Sequence, residues 1–516
     1  MKMKIPSKLK GINKKKGSEK VALQPKVSGR NTQNITVFAR DFALKTKGLI
    51  LKPSYLWAIL VFAFLTRLYN IGNLGINENE LKNVDRIFAM SNIGNFLNQN
   101  VSTNLYYLLQ NIWGRFFGFS ITNMRIFSVL LSVLGLYLFF KFTEEWFNRR
   151  LAYIATFLLS ISSYHILLSR NISHEVLYFA LVIFAFHTLT LAYRRKSRFY
   201  FALSGFLFGL AFYASEITFA LALLFAIALI YFYKKNSRFF TSFVKEKIIA
   251  VSAGFLTILP FLYAAGKNPN IFLSHFTLGI NMVLNNINLF FSSLILSAPR
   301  GYEYTVSTDK VFDPFVLLTF LLGSVYACIK IKRRKFYFLV SWFFLLTLIM
   351  ICEKEFSLGG FIYILPVIFI LSARIQTYVL DKWFKTFPFN RFARITAIAG
   401  IGFMFALSLT YNYRKVFAAW QKYPERNFVY NSAISQTDFG KNTVFLYKTG
   451  LDRPALESIL KNGGENNLKD ISDVSSLKGK FNLLTSPQAV SNVRLKLKDK
   501  KFQITSGHDI VLMKGE

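Results

Sequence analysis

The sequence predicts a mainly α-helical protein, a polytopic transmembrane bundle of about eleven spans with a small C-terminal α/β domain outside the membrane. Of its 516 residues, 53% are hydrophobic, and the mean hydropathy is +0.35. Apolar segments of about 17–25 residues match the thickness of a bilayer core. Basic residues occupy alternate gaps between the segments. The apolar segments are 54–71, 120–141, 151–168, 175–193, 199–214, 216–233, 248–266, 314–330, 336–352, 361–380 and 394–412.

The distribution of charge orients the predicted spans. The formal net charge is +37, and cytoplasmic loops are the ones enriched in Lys and Arg. The basic gaps and the N-terminus are therefore predicted to be cytoplasmic, and the C-terminus to lie outside, in a multi-pass protein of the cytoplasmic membrane. Because the basic clusters sit at span ends, nucleic acid is not expected as a partner. The basic gaps are 141–150, 194–198, 234–247, 330–335 and 382–394.

Three regions follow from this map. Residues 1–52 are polar and basic and are predicted to be a disordered cytoplasmic tail that touches anionic membrane lipids. Residues 53–412 form the transmembrane domain, and its long outer loops are 72–119 and 267–313. Residues 413–516 are predicted to form the α/β domain. Their strand-like runs begin at Asn442, Phe481, Phe502 and His508, and segments 455–461 and 487–497 have helical patterns.

The two cysteines, Cys328 and Cys352, fall near opposite membrane faces on this map. A disulfide needs Cα atoms within about 7 Å, so the two are not expected to pair. No Cys/His cluster has the spacing of a zinc site. His174 is a lone histidine, which is more often hydrogen-bonded structure than a metal ligand. No cofactor is implied, and a divalent metal has no ligand set to support it.

Carboxylates collect in the gaps predicted to lie outside. Glu78, Glu80 and Asp85 follow the first apolar segment, and the six-residue turn 170–175 holds Arg170, His174 and Glu175 between two spans. Carboxylates at membrane level are costly and usually functional when they face a cavity. A carboxylate that accepts a proton from a hydroxyl, beside a cation that neutralises a phosphate, suits group transfer from a lipid-linked phosphate. Loop carboxylates are also often only solvated, and that alternative stays open for the later loops.

The order of several motifs resembles the GT-C glycosyltransferases of the protein O-mannosyltransferase type, whose relatives include the aminoarabinose transferases of lipid A. The resemblance spans roughly residues 54–380. The motifs that carry it are Gly75-Ile-Asn-Glu-Asn79-Glu80, Asn104-Leu-Tyr-Tyr107, Phe117-Gly-Phe-Ser followed by Arg125, Ser169-Arg170 leading to Glu175, and Gly205-Phe-Leu-Phe-Gly-Leu-Ala211.

The resemblance implies a polyprenyl-phosphate sugar donor and an inverting transfer at the outer face. The first-loop Asp that is catalytic in the family falls on Asn79 here, and an amide cannot act as a base. The histidine and proline usual before the family's Leu-Tyr element are absent as well. The resemblance implies catalytic roles for Glu80, Glu78 and Glu175, and substrate-binding roles for Asn79, Arg170, His174, Tyr106 and Arg300.

The sequence leaves the acceptor open as protein, lipid or glycan, and it leaves two other functions open. A catalytically inactive relative would bind lipid-linked sugar without transferring it, and Asn79 favours this alternative. A lipid or polysaccharide transporter would carry paired charges within spans and broken helices in inverted repeats. The acids cluster at one face instead, which favours the transferase.

Overall fold

The computed structural model describes most of the chain from Pro53 onward. The described residues are 53–72, 78–90, 94–98, 101–215, 217–218, 222, 244–267, 279–298, 304–305, 309–354 and 356–419, with five strands beyond them. The helices are α1 (Ser54–Leu68), α2 (Glu78–Ala89), α3 (Asn95–Asn98), α4 (Asn104–Phe117), α5 (Ile121–Trp146), α6 (Arg149–Ile161), α7 (Ser163–Arg170), α8 (Glu175–Arg195), α9 (Arg198–Ala211), α10 (Val244–Lys267), α11 (Ile280–Ile295), α12 (Pro314–Ile329), α13 (Arg334–Cys352), α14 (Phe361–Thr386) and α15 (Arg391–Tyr413).

Within the described residues, six helices are long and apolar enough to cross a membrane, and the bent pair α6–α7 makes a seventh span if it is counted as one. Four shorter apolar helices, α1, α9, α11 and α12, have 10–17 residues each. The protein is therefore a multi-pass helical membrane protein, and the count of eleven spans stays a prediction. The predicted span 216–233 lies almost entirely outside the described residues, and α11 falls inside the predicted outer loop 267–313.

Alternate gaps lie at opposite ends of the helices. At one end the basic gaps meet: Arg150 donates to Asp381 (2.8 Å), Arg194 pairs with Glu145, and Lys335 donates to the carbonyl of Trp146. The gaps that lack basic clusters contribute to a cavity at the other end, described below. This arrangement agrees with the alternation of charge along the sequence. The assignment of the basic end to the cytoplasm rests on the charge rule alone.

Side-chain caps fix where several helices begin. Ser120, Asn148, Asp313 and Asn390 each accept a hydrogen bond from the backbone N–H three residues later. These are the residue types that satisfy the free N–H groups of a helix start. In α12 the following Pro314 occupies the first turn, where its missing N–H costs no hydrogen bond. Such short polar residues therefore mark the span starts.

Small residues allow neighbouring helices to pack closely. Gly205 and Gly209 of α9 lie against Ala250, Gly254 and Thr257 of α10, and a Cβ at either glycine would collide with these atoms. Close backbone approach through small residues is the usual way helices associate in a membrane. The pair α9–α10 is thus held by the glycine spacing noted in the sequence.

The third apolar segment is broken. α6 and α7 meet at Ser162 with a bend of 59°. The break frees backbone groups inside the bundle, where unpaired ones are expensive. The buried Arg67 guanidinium donates to the carbonyl of Ser160 (3.3 Å), and the N–H of Ser163 donates to Oδ1 of Asn412 (2.8 Å). These bonds support the break, and it redirects α7 toward the turn at 171–174.

The five strands form one mixed sheet in the order β2-β1-β3-β5-β4. β1 pairs in parallel with β2 and β3, and β5 pairs antiparallel with β3 and β4. The predicted helical segments 455–461 and 487–497 lie outside the described residues. The α/β character of this region therefore stays a prediction. The strands are β1 (Thr443–Tyr447), β2 (Leu468–Asp470), β3 (Phe481–Thr485), β4 (Phe502–Ser506) and β5 (Val511–Gly515).

Candidate functional site

Helix α2, in the first outer loop, presents two different faces. Asn79, Lys82, Asn83 and Arg86 recur at helical spacing and share one face. Glu80, Val84 and Ile87, which are buried, lie on another. The first face is polar and carries two cations, and it turns toward a cavity between α2 and the 171–175 turn. The second anchors the helix to the bundle.

The cavity has a volume of about 190 Å³ and gathers residues from three gaps that the sequence assigns to the outer side. Within the described residues its lining contains one lysine, one arginine, three amides, one histidine and one carboxylate. It is therefore polar and suited to an anionic group. The lining residues are Asn79, Lys82, Asn83, Arg86, Leu168, Asn171, Ile172, Ser173, His174, Glu175 and Tyr304.

Glu175 is the carboxylate of this cavity and the first residue of α8. Glu175 is only 7% exposed. Ser173 donates its hydroxyl proton to Oε2, the Tyr304 hydroxyl donates to Oε1 (2.9 Å), and Nδ1 of His174 lies 3.5 Å from Oε2. An ionised carboxylate has about four lone-pair sites, so these contacts orient the group and leave acceptor positions for a further donor. The position at a helix N-terminus also favours the charged form.

A glycine and two tyrosines close the far side of Glu175. The Tyr164 ring stacks on that of Tyr304 with centroids 5.9 Å apart. The Tyr164 hydroxyl contacts the carbonyls of Leu358 (2.8 Å) and Gly359 (3.0 Å). A Cβ at Gly359 would lie 2.8 Å from Oε1 of Glu175 and 2.9 Å from the Tyr304 hydroxyl. The backbone therefore approaches the carboxylate as closely as only a glycine permits.

Glu80 lies in a buried ion pair beside the cavity. Arg125 donates from Nε to Oε1 (2.9 Å) and from Nη2 to Oε2 (2.6 Å), and both side chains are 1% exposed. Oε1 also accepts from the N–H of Ile172 (3.1 Å), and Arg125 donates to the carbonyl of Ile71 (3.2 Å). This geometry favours a structural role: Glu80 joins α2 to α5 and to the 171–175 turn.

Asn83 makes a second link between α2 and the turn. Its amide donates to the carbonyl of Ile172 (2.7 Å) and accepts from the Tyr107 hydroxyl (2.7 Å). The guanidinium of Arg86 lies 5.7 Å from the Tyr107 ring centre. Burial raises the pKa of Tyr107 to about 12, and the positive charge of Arg86 opposes this shift. Tyr107 therefore stays a neutral donor to Asn83 at physiological pH.

The structure brings some of the predicted site residues together and separates others. Asn79, His174 and Glu175 line one cavity. Arg170 and Tyr106 are buried and do not line it. Glu78 begins α2, but its side chain lies outside the described part of the chain, as does all of Arg300. Asn79 of the first loop lies in the same cavity as Glu175, whereas Glu80 lies on the neighbouring face of α2, outside the lining.

Arg170 and Tyr106 contact other residues inside the bundle. The Arg170 guanidinium lies 5.2 Å from the Phe417 ring centre and donates to the carbonyl of Thr66 (3.4 Å). The Tyr106 hydroxyl is 2.7 Å from Oγ of Ser128 and accepts from Gln110 (2.9 Å). Burial raises the pKa of Tyr106 above its usual value, so its hydroxyl keeps its proton. Neither residue is positioned to touch a ligand in the cavity.

Six polar residues of the lining could not be assigned to the site from the sequence: Lys82, Asn83, Arg86, Asn171, Ser173 and Tyr304. The first three had a usable signal, because with Asn79 they fall at i, i+3, i+4 and i+7 of one helix. Asn171 and Tyr304 lie in irregular segments, where no periodicity marks a side chain. Among the described residues, no three His, Cys, Asp or Glu side chains are grouped to hold a metal ion.

Comparison with known proteins agrees with this architecture. The family described as dolichyl-phosphate-mannose-protein mannosyltransferase matches residues 103–264. The crystal structure of ArnT from Cupriavidus metallidurans bound to undecaprenyl phosphate aligns with a TM-score of 0.53 at 12% identity, over 89% of this chain and 97% of ArnT. The archaeal oligosaccharyltransferase AglB from Archaeoglobus fulgidus, in complex with an inhibitory peptide and a dolichol-phosphate, aligns with a TM-score of 0.51 at 12% identity, over 87% of this chain and 73% of AglB. No curated protein sequence is significantly similar to the chain.

Proposed function

Since the chain has the GT-C fold of ArnT and AglB, we propose that it is a membrane glycosyltransferase whose active site is the cavity around Glu175. The donor is a polyprenyl-phosphate-linked sugar, and transfer takes place at the outer face of the cytoplasmic membrane. Two similar structures hold a polyprenyl phosphate or dolichol-phosphate, which supports this class of donor. The observation that carries the proposal is a carboxylate, oriented by hydrogen bonds, that lines the same cavity as a lysine and an arginine.

Glu175 is the base in this proposal. Its carboxylate takes the proton of an acceptor hydroxyl, the acceptor oxygen bonds to the anomeric carbon, and the bond from that carbon to the phosphate oxygen breaks with inversion. Tyr304 and Ser173 hold the carboxylate in place. A base within reach of the proton contributes about 10²–10⁴-fold to a rate. Asn79, at the cavity rim, supplies an amide for hydrogen bonds and not a second base.

Lys82 and Arg86 neutralise the phosphate of the leaving carrier. Both lie on the cavity face of α2, and permanent cations are the usual partners of phosphate oxygens. Lys82 and Arg86 are preferred to Arg170 for this role because they line the cavity, whereas the Arg170 guanidinium lies near the Phe417 ring and is absent from the lining. The basic face also suits a lipid-linked donor, whose phosphate sits at the membrane surface.

The direct test is transfer of radiolabelled sugar from polyprenyl-phosphate donors, with the protein in proteoliposomes and envelope membranes from cells lacking it as the acceptor source. We expect Glu175→Gln to lower transfer about 100-fold or more. The control Glu144→Gln, which alters an ion pair with Arg149 at the opposite end of the bundle, should leave transfer unchanged. Equal activity of Glu175→Gln and the native protein would exclude Glu175 as the base.

A second candidate function is binding of lipid-linked sugar without transfer, and Asn79 in place of an acid favours it. Binding of radiolabelled polyprenyl phosphate separates the two. In both cases Lys82→Met with Arg86→Met should abolish binding, whereas Glu175→Gln should retain it. Binding without transfer by the native protein, in the presence of every acceptor fraction, would identify the chain as a binding protein. Movement of lipid across the proteoliposome membrane without transfer would identify a transporter.

A further inference from the structure

The last helix contacts the bundle mainly at one end. Of the α15 residues, Ser408 and Asn412 are buried, and so are Lys415 and Val416 in the π-helical turn Arg414–Ala419 that follows. The preceding part of α15 is largely exposed, as expected of a helix that faces lipid. The buried contacts that fix α15 are therefore concentrated at its C-terminal end.

Lys415 makes an ion pair that is unusual for its burial. Its residue is 5% exposed, and Nζ lies 3.2 Å from Oδ2 of Asp309 and donates to the carbonyl of Lys310. Tyr411 donates to the same Asp309 carboxylate (3.0 Å). Desolvating an ammonium group is costly, and a buried ion pair is often no more stable than two apolar residues of similar volume in its place. Packing alone therefore does not account for a lysine at this position.

The segment held by Lys415 leads to the catalytic carboxylate through packed rings. Asp309 is followed by Phe312, which is 3% exposed and lies 6.4 Å from the Tyr164 ring centre. Tyr164 stacks on Tyr304 (5.9 Å), and the Tyr304 hydroxyl donates to Glu175 (2.9 Å). Lys415 is thus connected to Glu175 through Asp309, the chain from 309 to 312, and the rings of Phe312, Tyr164 and Tyr304.

The same segment has further attachments at its end. Asp313 accepts from Ser408 and Asn412 (3.0 Å each), and the N–H of Val311 donates to the carbonyl of Ser293 (2.9 Å). These bonds hold the 311–313 end of the segment, whereas Lys415 and Tyr411 hold its 309–310 end. Loss of the Lys415 ammonium should therefore free one end of the segment, loosen the packing of Phe312 against Tyr164, and leave the bundle folded.

We propose that Lys415 is a positioning residue of the transfer site, which acts by fixing segment 309–313 and, through Phe312 and Tyr164, the Tyr304 hydroxyl on Glu175. This inference rests on the proposed function of Glu175. Lys415 itself does not line the cavity. Its role is to keep the catalytic carboxylate in one orientation while substrates enter.

The first experiment is independent of activity. Hydrogen exchange of the full-length protein is followed by mass spectrometry over residues 309–313 in the native protein, in Lys415→Met and in Lys385→Met, a control at an exposed lysine of α14. Methionine preserves the length of the side chain, and Asp309, whose side chain is 40% exposed, can be solvated by water when the ammonium is lost. We expect faster exchange in Lys415→Met alone. Unchanged exchange would overturn the proposal even if the protein is a transferase.

The second experiment is a double-mutant cycle in the transfer assay. Lys415→Met and Tyr304→Phe should each lower kcat about tenfold, a loss typical of a misplaced catalytic group, with the KM for the donor unchanged. If Lys415 acts through Tyr304, the double variant should be no slower than Tyr304→Phe alone. Multiplicative losses, or a rise in donor KM, would overturn the proposal. If the native protein fails to transfer sugar while exchange responds as expected, the proposed function fails and the structural link through Lys415 remains.

Discussion

Replacement of Glu80 separates its structural role from a catalytic one. In Glu80→Gln, the 1% exposed Arg125 loses its counter-charge, and the remaining amide oxygen replaces only one of the two carboxylate acceptors. The new amide also turns a donor toward either the guanidinium or the N–H of Ile172. We expect the variant to be less stable because it buries a guanidinium without its carboxylate, and we expect the contact between α2 and the 171–175 turn to weaken.

The magnitude follows from the burial of the pair. Removing one partner of a buried ion pair costs about 3–5 kcal/mol, whereas replacing both by apolar residues is often neutral. The double variant Glu80→Met with Arg125→Met should therefore recover most of the stability lost in Glu80→Gln. The double variant has no carboxylate at position 80, so it would be inactive if Glu80 were the base.

Thermal unfolding of the purified protein in nanodiscs, together with the transfer assay, measures both effects. We expect Glu80→Gln to unfold at a lower temperature and the Met/Met variant to be close to the native protein. Transfer by the Met/Met variant should remain within about tenfold of native, since Glu175 and the cationic face of α2 are kept. A Glu80→Gln variant of native stability that transfers no sugar would refute this reasoning and assign the base to Glu80.

Two further predictions concern the surroundings of the cavity. Gly359→Ala places a Cβ 2.8 Å from Oε1 of Glu175, so transfer should fall at least tenfold while binding of polyprenyl phosphate is retained; equal transfer would show that the carboxylate moves freely. Tyr107→Phe removes the donor to Asn83 and should cost about 1 kcal/mol of stability. Because the folded pKa of Tyr107 is raised to about 12, its neutral form persists to higher pH than in the unfolded chain. The stability difference between Tyr107→Phe and the native protein, measured by unfolding from pH 7 to pH 11, should therefore stay constant up to about pH 9 and shrink above about pH 10, where the unfolded tyrosine ionises first. A difference that stays constant to pH 11 would contradict the pKa shift.

The helical bundle and its two distinct ends could be predicted because their signals are local. Each span is an apolar run, and the basic gaps 194–198 and 330–335 sit beside such runs. The break at Ser162 had no such signal, since it depends on Arg67 and Asn412 from distant helices. Segment 280–295 was assigned to an outer loop, but it forms the apolar helix α11.

The site was predicted in outline and not in detail. The charge pattern placed the first loop and the 170–175 turn at the same end of the bundle, and Asn79 and Glu175 line one cavity there. Which side chain of α2 meets the cavity could not follow from composition, because Glu80 and Asn79 are neighbours whose faces differ by about 100°. The partner of Glu80 is Arg125, 45 residues away, and only the packed structure identifies it. Tyr304 lies in an irregular segment, where no periodicity indicates which side chains enter the site. It too is identified only by the packed structure.

The most direct measurement of the central claim is a cryo-EM structure of the native protein in nanodiscs with a polyprenyl-phosphate sugar. We predict the donor phosphate within hydrogen-bonding distance of Lys82 and Arg86, and the anomeric carbon on the side of Glu175 where an acceptor hydroxyl can approach. A phosphate bound elsewhere on the bundle, with the cavity around Glu175 empty, would contradict it.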